Sequence, residues 1–449
     1  RGVAVETQSG QQALTDAGTD YFIIGEGEVT FGALLDPLLA GEEVGPTPGV
    51  IPAPRRPDFP FKAACATPLE ALPMPTFSDF DLDDYAPFSH GRYLPFVTSR
   101  GCLGGCAFCT DRPGQGPHRF YPPDELVEHL SRLARDHHLD RIDFRDLAIN
   151  CRPEQLLSWC DGLAAKKLDL VWVAEGTLQP GTTREVLDAM RRAGCIALRL
   201  GLDSASTPLL KSMGKPFDAA TASQVLMDAR DAGLYISVSL MVGFPGETTR
   251  DMRLTTDFMV KHASCISHVD LLATCELRTG CRLTERPEEY GVRPGEGVFH
   301  SGYVDQGGVT REVRNQRAQE LLEVLTNLGI PVFQVLDDYA RAGEPNPNLE
   351  RHREALRVNS RELNTMEAGP LQALMTPLDR EVTLSIEDTP LTRPPGLFAG
   401  VRLDGRDLDL TYGRWRTWRG EDETLHLEAA LLFVPGRLNL HISNPPGHG

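Results

Sequence analysis

The chain has 449 residues, 41% hydrophobic and 24% charged, the make-up of a globular protein long enough for two or three domains. Its net charge of −18 argues against a nucleic-acid backbone as the main partner, because phosphate binding calls for a basic face. No apolar run approaches bilayer-spanning length, no signal peptide is visible, and ten cysteines over this length do not make a secreted disulfide framework, so a reducing cytoplasm is the expected setting.

The chain begins at Arg1, and residues 1 to 45 read as a short α/β piece. Asp20-Tyr21-Phe22-Ile23-Ile24 is a compact apolar strand, followed by Gly25-Glu26-Gly27-Glu28 and a helix from Thr30 to Leu39. One strand and one or two helices cannot bury a core alone, so this piece either packs on the main domain or is the tail of something larger. By local physics the Gly-Glu run is a solvated turn at a helix start, where carboxylates suit the dipole. Residues 46 to 91 carry prolines at 46, 48, 52, 54, 57, 60, 68, 73, 75 and 87, too many for regular structure. Phe59, Phe61, Phe77, Phe80 and Tyr85 interleave with them, as in an extended linker strapped to a surface.

From 92 to 335 strand and helix patterns alternate. Apolar runs fall near 93–98, 141–144, 170–174, 196–202, 235–242 and 268–273, with helical periodicity near 124–136, 153–165, 183–193, 218–232, 248–262 and 311–328. Six β-then-α units imply an α/β fold with a parallel sheet and right-handed crossovers. In such folds the working residues gather at the carboxyl ends of the strands.

The first strand, Tyr93 to Val97, runs into Ser99-Arg100-Gly101-Cys102-Leu103-Gly104-Gly105-Cys106-Ala107-Phe108-Cys109. Three thiols at C-x3-C-x2-C spacing, with glycines between them, suit an iron–sulfur cluster with one iron left open. Zinc asks for a fourth ligand, and the candidates His118 and Cys151 lie at no familiar zinc spacing. Three inert packing cysteines are the remaining alternative.

The C-x3-C-x2-C spacing, the aromatic Phe108 before the last cysteine and the preceding Ser-Arg-Gly closely resemble the radical S-adenosylmethionine (SAM) superfamily. The resemblance implies a partial (β/α)6 barrel. It implies a [4Fe–4S] cluster on Cys102, Cys106 and Cys109, with the amino and carboxylate groups of SAM on the open iron. Reductive cleavage of SAM would then yield a 5′-deoxyadenosyl radical that abstracts hydrogen from a substrate in the barrel mouth. The family pattern suggests an acidic residue facing the cavity after strand two, Asp143-Phe144-Arg145-Asp146, with Asp146 the candidate. After strand three it suggests Glu175, near a sugar hydroxyl or the SAM amino group. A helix cap or a barrel salt bridge is the alternative for both carboxylates. Gly201-Leu202-Asp203-Ser204 is similar to the Gly-x-Glu-Ser segment that helps to bind SAM, with Asp203 in place of the usual Glu. Gly243-Phe244-Pro245-Gly246-Glu247-Thr248 looks like the family turn beside the adenine, which makes Gly243 and Pro245 candidates; turn-making alone also explains it. Cys281, after strand six, either packs or faces the cavity.

The strand, Gly-Glu-Gly-Glu and helix of residues 1–45, with Leu72-Pro73-Met74-Pro75 in the linker, resemble the end of the cobalamin-binding domain that precedes many barrels of this family. The Asp-x-His-x-x-Gly cobalt-ligand motif is absent from the sequence given, so cobalamin binding is expected only if a missing N-terminal part exists. Residues 336 to 449 read as a C-terminal α+β extension: a polar helical stretch over 348–366, then alternating runs such as Glu381 to Ile386 and a hairpin turn at Leu403-Asp404-Gly405-Arg406. Arg414-Trp415-Arg416-Thr417-Trp418-Arg419 is an exposed strand with snorkelling arginines, or a grip for an acidic peptide or phosphate. The expected activity is SAM-dependent radical chemistry, in the cobalamin branch commonly C-methylation. The substrate would be a small molecule or peptide, and the electron donor a flavodoxin or ferredoxin. A methylthiotransferase and a noncatalytic iron–sulfur scaffold are the alternatives.

Overall fold

A computed structural model describes residues 8–54, 62, 66–82, 93–111, 116–139, 141–168, 170–278, 280–293, 299–300, 303–336 and five strands between 381 and 443. It divides into two compact units. The first takes the chain up to Pro75 with Ser99–Leu103 and Asp111–Pro122; the second takes Thr76–Thr98, Gly104–Thr110 and the chain from Pro123 onward.

In the first unit, helix α1 (Gln8–Asp16) precedes strand β1 (Tyr21–Ile23), helix α2 (Gly27–Ala40) and strand β2 (Val50–Pro52). β1 and β2 pair antiparallel with Phe22 opposite Ile51. β2 lies in the stretch expected to be too proline-rich for regular structure. Val50 and Ile51 are β-branched and buried, and Pro52 ends the strand, so one short pairing forms between the prolines. Leu34, Val44 and Val50 form its small core, with Tyr21 and Ile23 packed against it.

The second unit is built on seven parallel strands. The first six are β3 (Tyr93–Phe96), β6 (Arg141–Phe144), β7 (Val171–Gly176), β8 (Cys195–Asp203), β9 (Tyr235–Val242) and β10 (His268–Thr274). Between β3 and β6, in chain order, the two-residue strands β4 (Ser99–Arg100) and β5 (Arg119–Phe120) pair with each other in the first unit. The connecting helices are α3 (Pro123–Asp136), α4 (Pro153–Ala165), α5 (Arg184–Arg192), α6 (Thr207–Met213), α7 (Ala219–Asp231), α8 (Thr249–Lys261) and α9 (Arg311–Asn327). A strand beyond the expected six, β11 (Val332–Leu336), lies parallel to β10, giving the order β11-β10-β9-β8-β7-β6-β3. It is a five-residue run directly behind a helix and Pro331, too short for periodicity to separate it from the helix end.

Alternation along the strands gives the sheet two chemically distinct faces. Phe144 and Trp172 turn to the helix side, where Phe144, Trp159 of α4 and Trp172 pack with centroids 5.3 to 5.5 Å apart. α4 meets them because Leu156, Trp159, Cys160 and Leu163 recur on one helical stripe and are buried. The other face carries Asp143, Glu175, Arg199 and Ser237.

The C-terminal strands β12 (Glu381–Ile386), β13 (Thr389–Pro390), β14 (Gly413–Arg419), β15 (Leu425–Leu431) and β16 (Leu438–Ser443) form an antiparallel sheet in the order β13-β12-β16-β15-β14. The expected helix over 348–366 and the turn at 403–406 lie outside the described residues. Among the described residues no helix is long and apolar enough to cross a membrane.

Candidate functional site

The cysteine loop leaves the first strand of the parallel sheet, and its two halves are anchored differently. The first half belongs to the first unit. Arg100 ion-pairs with Glu28 and, at 3.5 Å, with Glu26, while Arg119 ion-pairs with Glu26. The Gly-Glu run is therefore more than a solvated turn: its two carboxylates grip the arginine two residues before Cys102. Arg119 above all holds Glu26 below the usual carboxylate range, and Arg100 does the same for Glu28. Gly101 has φ +81°, and a Cβ there would sit 2.8 Å from the Pro117 carbonyl oxygen.

The second half is pinned to the end of α6. The Ala107 amide donates to the Met213 carbonyl at 2.8 Å, and the Ala107 carbonyl accepts from the Leu283 amide at 3.1 Å. Gly214 has φ +76°, and a Cβ there would come within 2.4 Å of the Gly105 carbonyl oxygen, so only glycine lets the loop lie this close. Behind it stands Lys215, its side chain largely buried, ion-paired with Asp203 and donating to the Gly201 carbonyl at 3.0 Å. Its ammonium lies 5.5 Å from the Phe108 ring centre and 5.8 Å from that of Phe217. Burial works to lower the Lys215 pKa, but Asp203 together with the Cys106 and Cys109 sulfurs holds it above its ordinary value. Asp203 has φ +58° and sits past an irregularity in the β8–β9 register, which carries the shorter carboxylate to Lys215. Sequence reasoning assigns Lys215 no role, because helix α6 separates it from its partner.

Cys102, Cys106 and Cys109 are partly exposed, whereas the other six described cysteines, Cys281 among them, are buried. Burial pushes the Cys275 thiol up to about 12 and raises those of Cys160 and Cys195, which marks them as inert. Accessible thiols are thus confined, among the described residues, to the C-x3-C-x2-C loop. Also among them, no three Cys, His, Asp or Glu side chains are gathered closely enough to hold one ion, so the sulfurs are not a preassembled ligand set. Thiolate sites commonly assemble as the metal binds, and three accessible thiols on one loop, with the Lys215 ammonium beside Cys106 and Cys109, are a donor set suited to an anionic iron–sulfur cluster.

The remaining candidates divide. Asp146 is buried, and its carboxylate accepts from the Thr98 amide at 3.0 and 3.1 Å and from the Thr98 hydroxyl at 2.8 Å. It braces the exit of β3, whereas Asp143, three residues earlier and within β6, lines the cavity on the open face of the sheet. Ser204 is likewise engaged within the fold, its hydroxyl 3.2 Å from that of Thr255 and accepting from the Ser206 amide. Glu175 points to the open face of the sheet and pairs with Arg199 at 2.8 Å, the barrel salt bridge weighed above.

Gly243 has φ +75°, and a Cβ there would lie 2.1 Å from Cγ of Arg314. The Gly243 amide donates to Glu247 at 2.8 Å and its carbonyl accepts from the Tyr303 hydroxyl at 2.8 Å. Arg314, buried from α9, donates to the Tyr303 and Val309 carbonyls, and Arg317 reaches Glu247 at 2.8 Å. Burial raises Glu247 to about 7 against the opposing pull of the Gly243 amide and Arg317. Thr248 and Asp251 then form a reciprocal capping box that opens α8. The Gly243-to-Glu247 turn is therefore held rigid from below, by residues of α9 that the motif itself does not reveal.

Known proteins bear on this geometry. The family model described as "Radical SAM superfamily" matches residues 96–259. An uncharacterized methyltransferase of Pyrococcus horikoshii is 26% identical over 250 residues, 54% of this chain and 53% of that protein. Bacteriochlorophyllide d C-12(1)-methyltransferase of Chlorobaculum tepidum is 26% identical over 208 residues, 45% of this chain and 44% of the relative. The chain thus spans about half the length of the curated relatives it matches. Among solved structures, the radical SAM methyltransferase TsrM from Kitasatospora setae superposes with a TM-score of 0.57 at 15% identity, covering 79% of this chain and 80% of that one. The cobalamin-dependent SAM radical enzyme OxsB also gives 0.57 at 15% identity, over 83% and 59%. At that identity the likeness is one of fold. The matched family model, the parallel sheet and the cysteine loop at the end of its first strand agree: residues 96–259 of this chain carry a radical SAM domain.

Proposed function

We propose that this chain is an enzyme that cleaves SAM reductively and starts radical chemistry on a small-molecule substrate, with C-methylation as the outcome that the methyltransferase relatives favour. The observation that carries the reading is the confinement of accessible thiols, among the described residues, to one loop at the carboxyl end of the first strand. Cys102, Cys106 and Cys109 would hold a [4Fe–4S] cluster. When bound, the cluster would supply an electron to the SAM sulfonium, and the resulting radical would take hydrogen from the substrate.

The protein's own part is placement and dryness. Lys215, oriented by Asp203, sets a buried positive charge behind Cys106 and Cys109. Phe108 covers that ammonium on the loop side. The rigid Gly243–Pro245 turn offers a fixed backbone edge where the adenine is expected. Asp146 and Ser204 act at one remove, by fixing the exits of β3 and β8.

The strand and helix of the first unit fit cobalamin as a further cofactor where an N-terminal part supplies the cobalt-ligand motif, as in the OxsB structure with aqua-cobalamin bound. A flavodoxin or ferredoxin in a reducing cytoplasm fits as electron source, and the acidic balance favours no nucleic-acid partner. A methylthiotransferase would need a second cluster, and the sequence holds one three-cysteine motif. The test is anaerobic reconstitution followed by SAM and dithionite. Release of 5′-deoxyadenosine or S-adenosylhomocysteine is expected; a fully iron-loaded protein that releases neither is a scaffold.

A further inference from the structure

On the sheet face turned away from the helices, charged side chains line a cavity of about 150 Å³. Register sets Glu175, Arg199, Ser237 and His268 in one row across β7 to β10, with Asp143, Val173, Ala197 and Tyr235 in a row nearer the strand starts. The charges are not randomly mixed. Asp143 meets two guanidiniums, Arg141 at 2.7 Å and Arg145 at 3.3 Å, and two cations against one anion leave a formal +1. Arg199 meets two carboxylates, Glu175 at 2.8 Å and Asp270 at 3.1 Å, and two anions against one cation leave −1. His268, 3.0 Å from the Tyr235 hydroxyl, is pushed down in pKa by burial and adds no charge at neutral pH.

The cavity is therefore bounded by an arginine-rich end and by Glu175, whose partner Arg199 is shared with Asp270 outside the lining. Arg145 and Glu175 are the most exposed members of these two groups, with 51% and 42% of their side chains open. Arg145 follows Phe144, which pairs with Ala174, so Arg145 and Glu175 leave adjacent strands at one level. Adjacent strands run about 4.8 Å apart, so one small ligand that carries both a carboxylate and an ammonium can meet both side chains. We propose that this cavity holds the head group of a free α-amino acid or a small molecule built on one, its carboxylate on Arg145 and Arg141 and its ammonium on Glu175. A volume of about 150 Å³ is the share of roughly five waters, room for such a head group and little more. The rest of the ligand extends toward the strand ends, where Cys106 and Cys109 lie. The assignment rests on the SAM-cleaving reading in calling this ligand the substrate.

The test is calorimetric titration of the reconstituted full chain with the twenty L-amino acids, with saturating S-adenosylhomocysteine present so that the SAM position is filled. At least one free amino acid binds, and its N-acetyl and amide forms each bind about tenfold or more weakly, since each lacks one charge-assisted contact. In Arg145→Gln the penalty for the amide disappears while that for the N-acetyl form stays; in Glu175→Gln the pattern reverses. Three results overturn the proposal: no amino acid binds, capped forms bind as tightly as free ones, or binding appears only without S-adenosylhomocysteine. The capping series on the wild type decides the matter even if a variant fails to fold. 5′-Deoxyadenosine release by that same wild-type protein judges the SAM-cleaving reading separately.

Discussion

Gly214→Ala isolates the contact on which the second half of the cysteine loop depends. Two costs add. Alanine at φ +76° carries a left-handed penalty of about 1–2 kcal/mol. Its Cβ would also lie 2.4 Å from the Gly105 carbonyl oxygen, so the loop must retreat by about an ångström, straining the 2.8 Å bond from Ala107 to Met213. Losing that bond costs a further ~0.5–1.5 kcal/mol. The control is Gly233→Ala, where φ is +73° and the nearest outside atom is 3.8 Å away, so that only the backbone penalty applies. Urea unfolding should place Gly214→Ala below Gly233→Ala by about 1 kcal/mol. Iron retained after anaerobic reconstitution and desalting should fall in Gly214→Ala and stay near wild type in Gly233→Ala. Equal stability and equal iron in the two variants would refute the claim that this close approach shapes the cluster loop.

The buried Lys215–Asp203 pair should behave asymmetrically: Lys215→Met strands a carboxylate and costs about 3–5 kcal/mol, whereas Lys215→Met with Asp203→Leu recovers much of it in a double-mutant cycle. Recovery of nothing would mean the two charges do not depend on each other. Glu247, raised from 4.5 to about 7, holds a proton when folded that it lacks when unfolded, so stability falls as pH rises across that window, by up to about 3 kcal/mol. Glu247→Gln should flatten that slope in urea titrations between pH 5 and pH 7; an unchanged slope would rule the carboxyl out as its source. Glu26, depressed by Arg119, works in the opposite sense: its contribution is present above about pH 4.5 and is lost as pH falls through the lower folded value. Glu26→Gln should therefore destabilise at neutral pH and converge with the wild type in acid, and a deficit that persists in acid would assign the effect to packing.

The parallel sheet was readable because its strands are continuous apolar runs separated by helical stripes, and the cysteine loop because spacing alone defines it. β2 and β11 were not, since both are short and begin or end beside proline. Asp146 illustrates the limit of reading strand ends: sequence marks an acidic residue there but not its side-chain direction, and the one facing inward is Asp143. Lys215, Arg199 and Arg314 escaped for a common reason, because each acts through a partner on another strand or helix, at a separation that no local pattern encodes. The cavity wall shows the same thing on a larger scale. Its charges come from β6, β7 and β8, and their grouping exists only once the register is set.

The central claim, that Cys102, Cys106 and Cys109 together carry the cluster, is tested most directly by counting iron and sulfide per chain after anaerobic reconstitution, in the wild type and in the triple variant Cys102→Ala, Cys106→Ala and Cys109→Ala. The account predicts about four of each in the wild type and almost none in the variant, with unfolding curves that still report a folded chain. A folded triple variant that keeps its iron and sulfide would contradict it.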